Sequence, residues 1–350
     1  MRHDTKVRAL LSIVVPVYGE AAVIGEFYER AKSVLNSLAD SYDHEIIFVN
    51  DGSADDSLEI LLKVAASDPA VRVLDLSRNF GQQSAITAGV DYASGDAIIV
   101  TDVDLQDPPE LFPEMVSKWR EGYKGVYCVR MSREGENPVK MWITARFYRL
   151  LQRISDVSIP LDTGEFRLID RAVADALRGM REQGRYTRGL IAWLGFRQCG
   201  LPYERDKRYA GTTKYTLGKT MLVAMNAITG FSAKPLYLAG YVGILVTLVA
   251  FAMTAWLIIS KLINPGATGR GWTSLIVAIM FFGGLQLMCL GLVGQYLARV
   301  FDDTKGRPIY VVNERYGFGT ARPGAGESSE RNGTPLPQDS GEPPDTRRRG

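Results

Sequence analysis

The residues best suited to chemistry stand just after apolar runs. Asp102-Val103-Asp104-Leu105-Gln106 follows the apolar segment Ala97–Thr101. If that segment continues extended, alternate residues share a side, so Asp102, Asp104 and Gln106 present oxygens together. Hard oxygen ligands suit Mg²⁺ or Mn²⁺. Such an ion over a diphosphate would neutralise charge on a departing nucleoside diphosphate. Pro16, Tyr18 and Glu20 close another apolar run, Asp51-Gly52-Ser53 a third, and Arg78-Asn79 a fourth. Singly each is bland: D-x-D is common, and Asp-Gly-Ser reads as an Asx turn. Four polar ends in succession describe one mouth.

The elements that must hold this mouth alternate between two periods. Leu11–Val17, Glu45–Asn50, Val71–Leu76 and Ala97–Thr101 are short β-branched runs, as buried parallel strands should be. Helical patterns cover Val23–Leu38, Ser57–Ala66 and Ser84–Ala93 between them. The rhythm predicts an α/β domain, Rossmann-like, with a mostly parallel sheet and helices on both faces. In such sheets ligands bind beyond the carboxyl ends of the strands, where the polar residues collect.

Several chemistries are disfavoured. No G-x-G-x-x-G or G-x-x-x-x-G-K-[ST] follows any strand, which argues against dinucleotide oxidoreductases and P-loop ATPases. The two histidines, His3 and His44, lie at the terminus and before a strand, so a histidine general base is not expected. Cys128, Cys199 and Cys289 are far apart, with no CxxC, and neither zinc nor a disulfide framework fits. No signal-peptide pattern opens the chain.

The near-neutral total charge of +2 hides segregation: residues 1–129 carry net −10 and residues 130–234 net +9. The basic middle calls for an anionic partner. Pro235–Ser260 and Gly271–Ala298 contain no charged residue over 26 and 28 positions. As helices, each outruns the roughly 30 Å hydrocarbon core. They predict a two-helix transmembrane hairpin, spans 235–262 and 271–298, with Tyr237, Tyr241, Trp256 and Trp272 near the ends. Lys234, Arg299, Lys305 and Arg307 flank the outer ends, placing both termini in the cytoplasm of a multi-pass membrane protein. Segments 138–154 and 217–234 mix aromatic and basic residues as interfacial or juxtamembrane amphipathic helices do, although 138–154 could equally pack on the head. The head would span 1–216, a short hairpin or edge strand would fill 299–316, and the Gly-, Pro- and Ser-rich stretch 317–350 reads as a disordered tail.

Six ordered motifs then carry a family resemblance: PVYGE (Pro16–Glu20), VNDGSADDS (Val49–Ser57), SRNFGQQSAITAG (Ser77–Gly89), DVDLQDPPE (Asp102–Glu110), DTGEFRLIDR (Asp162–Arg171) and RYAGTTKYTLGK (Arg208–Lys219). Followed by two apolar spans, they resemble the polyprenyl-phosphate glycosyltransferases of glycosyltransferase family 2, similar to dolichol-phosphate mannose synthase and more closely to bactoprenol glucosyltransferases. The resemblance covers roughly Leu11 to Gly317. It implies a GT-A fold and inverting transfer of a sugar from a nucleotide-sugar, UDP-glucose by default, to a membrane polyprenyl phosphate. It further implies Pro16, Tyr18 and Glu20 beside the nucleotide base, Asp51 on base or ribose, and Asp102, Asp104 and Gln106 on metal and diphosphate.

An anionic lipid head requires a cationic, interfacial site. Arg130, Arg133, Arg167, Arg208 and Lys214 are its candidates, Arg as a bidentate clamp and Lys as a point charge; these cations could instead meet lipid headgroups. The acceptor phosphate is already anionic, so positioning and leaving-group stabilisation should dominate, with Asp162 or Glu165 able to orient the acceptor or act as base. Relatives of this family assemble as homo-oligomers, which makes a homotetramer the expected state; no nucleic-acid partner is expected. Two rival readings are a processive polysaccharide synthase, whose Q-x-x-R-W motif the segment Gln183–Trp193 does not match, and a non-catalytic nucleotide-sugar-binding membrane protein.

Overall fold

The computed structural model describes residues 8–131, 163–204, 234–263 and 271–318. By internal contacts the chain divides into Met1–Gly317 and Phe318–Gly350, and of the second unit only Phe318 is described. The first unit begins with the expected alternation: β1 (Ala9–Val17), α1 (Ile24–Ser37), β2 (Tyr42–Asn50), α2 (Ser57–Ser67), β3 (Val71–Leu76), α3 (Gln82–Tyr92) and β4 (Ala97–Val100). There follow α4 (Phe112–Arg120), β5 (Gly125–Arg130), β6 (Thr163–Asp170), α5 (Arg171–Gly179), α6 (Thr187–Trp193) and β7 (Gln198–Tyr203). Two long helices, α7 (Lys234–Ile263) and α8 (Trp272–Thr304), and a last strand, β8 (Val312–Tyr316), complete it.

One eight-stranded sheet runs β7-β5-β6-β4-β1-β2-β3-β8. Strands β1 to β4 are parallel neighbours, β5 is parallel to β7, and β6 and β8 run against their neighbours. The sheet is therefore mixed, parallel at its centre. Both faces of that centre are covered, which is why β1 reads as an unbroken apolar run. One face packs Ile13, Val15, Phe48 and Val73 against Phe27 and Leu35 of α1, Leu61 of α2 and Phe112 of α4. On the other face α3 comes so close that a Cβ on Gly89 would lie 2.2 Å from Val14 Cγ1.

One expectation changes. The segment after β4 is not extended: β4 ends at Val100, and residues 103–107 form a turn in which buried Leu105 holds φ +60°. The chain bends because Asp104 Oδ1 accepts the Gln106 N–H at 3.2 Å, an Asx-type bond that competes with extension. Alternation along a strand thus does not explain the acidic cluster; the turn does. Long helices cover both apolar runs, Lys234–Ile263 and Trp272–Thr304. Among the described residues one segment, Ala278–Thr304 in α8, is long and apolar enough to cross a membrane, with mean hydropathy 1.6. Helix α7 runs for 30 residues and α8 for 33. The segments 138–154 and 217–233 lie outside the described residues, as does nearly all of the tail.

Candidate active site

The loops after β1 and β2 are stitched together by side chains acting on backbone. Ser53 Oγ accepts the Gly19 N–H, Ser57 Oγ the Glu20 N–H and an Asp55 oxygen the Ala21 N–H, all at 3.1–3.2 Å. This leaves Tyr18 57% exposed at the rim and Pro16 buried in β1. Asp51 follows β2 and is almost fully buried, its two oxygens accepting the Phe80 and Gly81 N–H groups at 2.7 and 2.9 Å. Burial pushes its carboxyl up, while those two bonds and the nearby Arg78 charge oppose the rise. Gly52 makes this possible: at φ +68° a Cβ there would sit 2.6 Å from the Arg78 carbonyl carbon. Arg78 lies over the Phe80 ring, 4.0 Å from its centroid.

Asp102 is the electrostatic centre of the mouth. Its carboxyl is pushed up to about 7, first by burial, then by the charges of Asp107, Asp104 and Glu165, against a hydrogen bond from Gln82. Gln82 Nε2 donates to Asp102 Oδ1 at 2.7 Å. Asp107, fully buried, accepts from the Tyr203 hydroxyl at 2.6 Å. Antiparallel pairing of β4 with β6 sets Val100 opposite Arg167, so the start of β6 runs past the same mouth. Thr163, Glu165 and Arg167 of β6 are all buried. Glu165 Oε1 lies 2.7 Å from Arg188 Nε, while Arg188 also donates to the Thr163 carbonyl at 2.5 Å. Arg167 donates to the Gly164 carbonyl at 2.9 Å, and its buried Nε has no hydrogen-bond partner. Burial lowers the Arg167 pKa and the Glu165 charge raises it in turn.

The structure thus brings Asp102, Asp104, Gln106, Glu165 and Arg167 to one end of the sheet, with Pro16, Tyr18, Glu20 and Asp51 on neighbouring strand ends. Arg130 closes β5 as a backbone partner of Tyr203. Arg133, Asp162, Arg208 and Lys214 lie outside the described residues. Among the described residues no group of three His, Cys, Asp or Glu side chains is arranged to hold a metal ion. The available set is two carboxylates and an amide, Asp102, Asp104 and Gln106. Its fit to a divalent cation rests on chemistry: the charges of Asp107, Asp104 and Glu165 all act on Asp102, and an added positive charge would relieve that repulsion. Asp107, Gln82 and the Glu165–Arg188 pair were not singled out from sequence. The D-x-D-x-x-D spacing at 102, 104 and 107 was the available signal for the first; nothing local marks the others.

The model of glycosyl transferase family 2 matches residues 12–178, from β1 through α5. The uncharacterized glycosyltransferase YkcC of Bacillus subtilis is 49% identical over 311 residues, 89% of this chain and 95% of that protein. The chain belongs to glycosyl transferase family 2. Within the family, the prophage bactoprenol glucosyl transferase homolog of Escherichia coli is 39% identical over 86% of this chain and 98% of its own length. The SfII prophage-derived bactoprenol glucosyl transferase of Shigella flexneri is 37% identical, over 87% and 98%. The resemblance drawn from six motifs is borne out, and this family 2 member is a glycosyltransferase.

Proposed function

We propose that this glycosyltransferase moves a sugar, with inversion, from a nucleotide-sugar to polyprenyl phosphate, with UDP-glucose the first donor to test and undecaprenyl phosphate the first acceptor. The observation that carries the reading is similarity, over 86–87% of this chain, to a bactoprenol glucosyl transferase and a homolog of one, combined with an acidic mouth and a buried arginine on β6. A GT-A head, a membrane hairpin with the head and both termini in the cytoplasm, and a homotetramer belong to the same proposal. The long apolar helix α8 and the basic middle of the chain support a lipid partner.

Pro16, Tyr18, Glu20 and Asp51 would border the nucleotide, and Asp102, Asp104 and Gln106 would hold Mg²⁺ or Mn²⁺. When bound, the ion supplies positive charge to the leaving diphosphate. The chain's own residues do the rest. Arg167, buried and with an unused Nε donor, offers a fixed cation to the acceptor phosphate, joined in the proposal by Arg130, Arg133, Arg208 and Lys214. Fixing the acceptor oxygen near the anomeric carbon replaces a bimolecular encounter by a positioned one. Glu165, paired with Arg188, would orient the acceptor or act as base. Asp162 remains the other candidate for orienting the acceptor.

The test is a donor panel: purified protein, Mg²⁺, undecaprenyl phosphate and labelled nucleotide-sugars, followed by organic extraction. Lipid-linked label from one donor, carrying a β-linked sugar from an α-linked donor, is expected. An α-linked product, or water-soluble polymer in place of extractable lipid, would overturn the reading.

A further inference from the structure

The N-terminus of α3 is a junction between three parts of the molecule. Gly81 caps it with φ +95°, and the Phe80 and Gly81 amides are committed to Asp51. The next two residues are glutamines with different partners. Gln82 Nε2 donates to Asp102 Oδ1 at 2.7 Å, and Gln83 Oε1 accepts the Thr187 N–H at 3.0 Å, at the start of α6. Successive helical residues diverge by about 100°, so this adjacency lets one turn grip both the strand end and α6. The anchorage extends further: Thr187 N–H on Gln83 ties α3 to the start of α6, and in the segment just before it the Gln183 N–H donates to Asp303 of α8 at 2.9 Å.

We propose that Gln82 is a positioning residue for the donor-side metal: by donating to Oδ1 it fixes the Asp102 carboxylate and leaves Oδ2 as the ligating oxygen. The inference rests on the donor and metal reading given under Proposed function. Gln82 fits the part because it is neutral and exposed, and lies beside a carboxylate that two other carboxylates crowd in sequence. A cationic partner would compete with the metal for Asp102, whereas an amide orients the group without discharging it. Its neighbour Gln83 holds the same turn to the start of α6.

The experiment is a Mn²⁺ titration of the full chain in detergent with UDP present, reading free Mn²⁺ by electron paramagnetic resonance. Gln82→Met keeps the side-chain length and removes the donor. It should weaken Mn²⁺ binding by about tenfold, the lower end for residues that orient metal ligands. UDP affinity in EDTA, the KM for undecaprenyl phosphate and the thermal midpoint should match wild type, a pattern that loss of folding would not give. Wild-type Mn²⁺ affinity in Gln82→Met overturns this inference and leaves the donor reading standing. Absence of Mn²⁺ binding by the wild-type chain overturns both.

Discussion

Asp104 shares a turn with Asp102, and its Oδ1 accepts the Gln106 N–H. Asp104→Ala is expected to abolish transfer while circular dichroism and membrane binding stay unchanged; activity recovered by added Mn²⁺ would contradict its assignment. Arg167 is a different kind of residue, buried at 5% exposure on β6. Arg167→Lys keeps a cation but loses the planar fork. Loss of a charged hydrogen bond of about 1.5–3 kcal/mol should raise the KM for the lipid acceptor by about 10- to 100-fold. The KM for the nucleotide-sugar should not move, and equal changes in both would argue against an acceptor role. At this scale the sequence was most informative where a residue's neighbours are local. Asp102 and Asp104 announce themselves by spacing. Gln82, Asp107 and the Glu165–Arg188 pair act on the same centre from 20 or more positions away, or through a turn whose shape alternation does not describe.

Turns and caps decide whether the elements meet at the mouth. Gly52 must hold φ +68° with no room for a Cβ, so Gly52→Ala should destabilise the head by about 1–3 kcal/mol and lower the thermal midpoint; an unchanged midpoint would show that the β2–α2 loop has slack. Asp170 works at the opposite end of the sheet. It caps α5 through the Ala172 N–H and accepts from Trp119 Nε1 and Lys124 Nζ, at 3.0, 2.7 and 3.0 Å. Burial raises its carboxyl, but these bonds outweigh burial and the net shift is down. A carboxyl depressed in the fold stabilises above its unfolded value of 3.8 and loses that contribution as pH falls through the lower folded value. Asp170→Ala should therefore destabilise the protein at pH 7, and the gap to wild type should close in acid; a gap independent of pH would contradict the ionised cap. The four parallel strands and three helices were legible because each is long relative to its period. Strands β5 to β7 were less so, since the order β7-β5-β6-β4 comes from pairing between distant segments. The edge strand β8 needed the structure to decide its partner: pairing with β3, reinforced by Asn313 Nδ2 donating to Asp75 at 2.9 Å, settles that it completes its own head's sheet.

Across the molecule, the end of α8 is fastened to the head. Glu182 faces Arg299 at 3.5 Å, and Asp91 accepts from the Tyr310 hydroxyl at 2.8 Å and pairs with Arg181 at 2.7 Å. Burial and then the Asp91 charge keep the Tyr310 phenol protonated well above its ordinary range. These contacts tie the end of the apolar helix α8, and the segment after it, to the head. The chain should accordingly stay with membranes through an alkaline carbonate wash, and release into the wash would argue for peripheral attachment. Charge segregation, legible from sequence, acquires a place: the acidic first third contains Asp51, Asp102, Asp104 and Asp107 at the mouth, and the basic middle contributes Arg167 and Arg188 beside them. The central claim is that this mouth joins a nucleotide-sugar to a lipid phosphate. Its most direct test is label transfer from UDP-glucose into the organic phase with undecaprenyl phosphate present or omitted, with and without EDTA. The account predicts extractable label that requires both the lipid and a divalent cation. Label that appears without the lipid acceptor, or that survives EDTA undiminished, would contradict it.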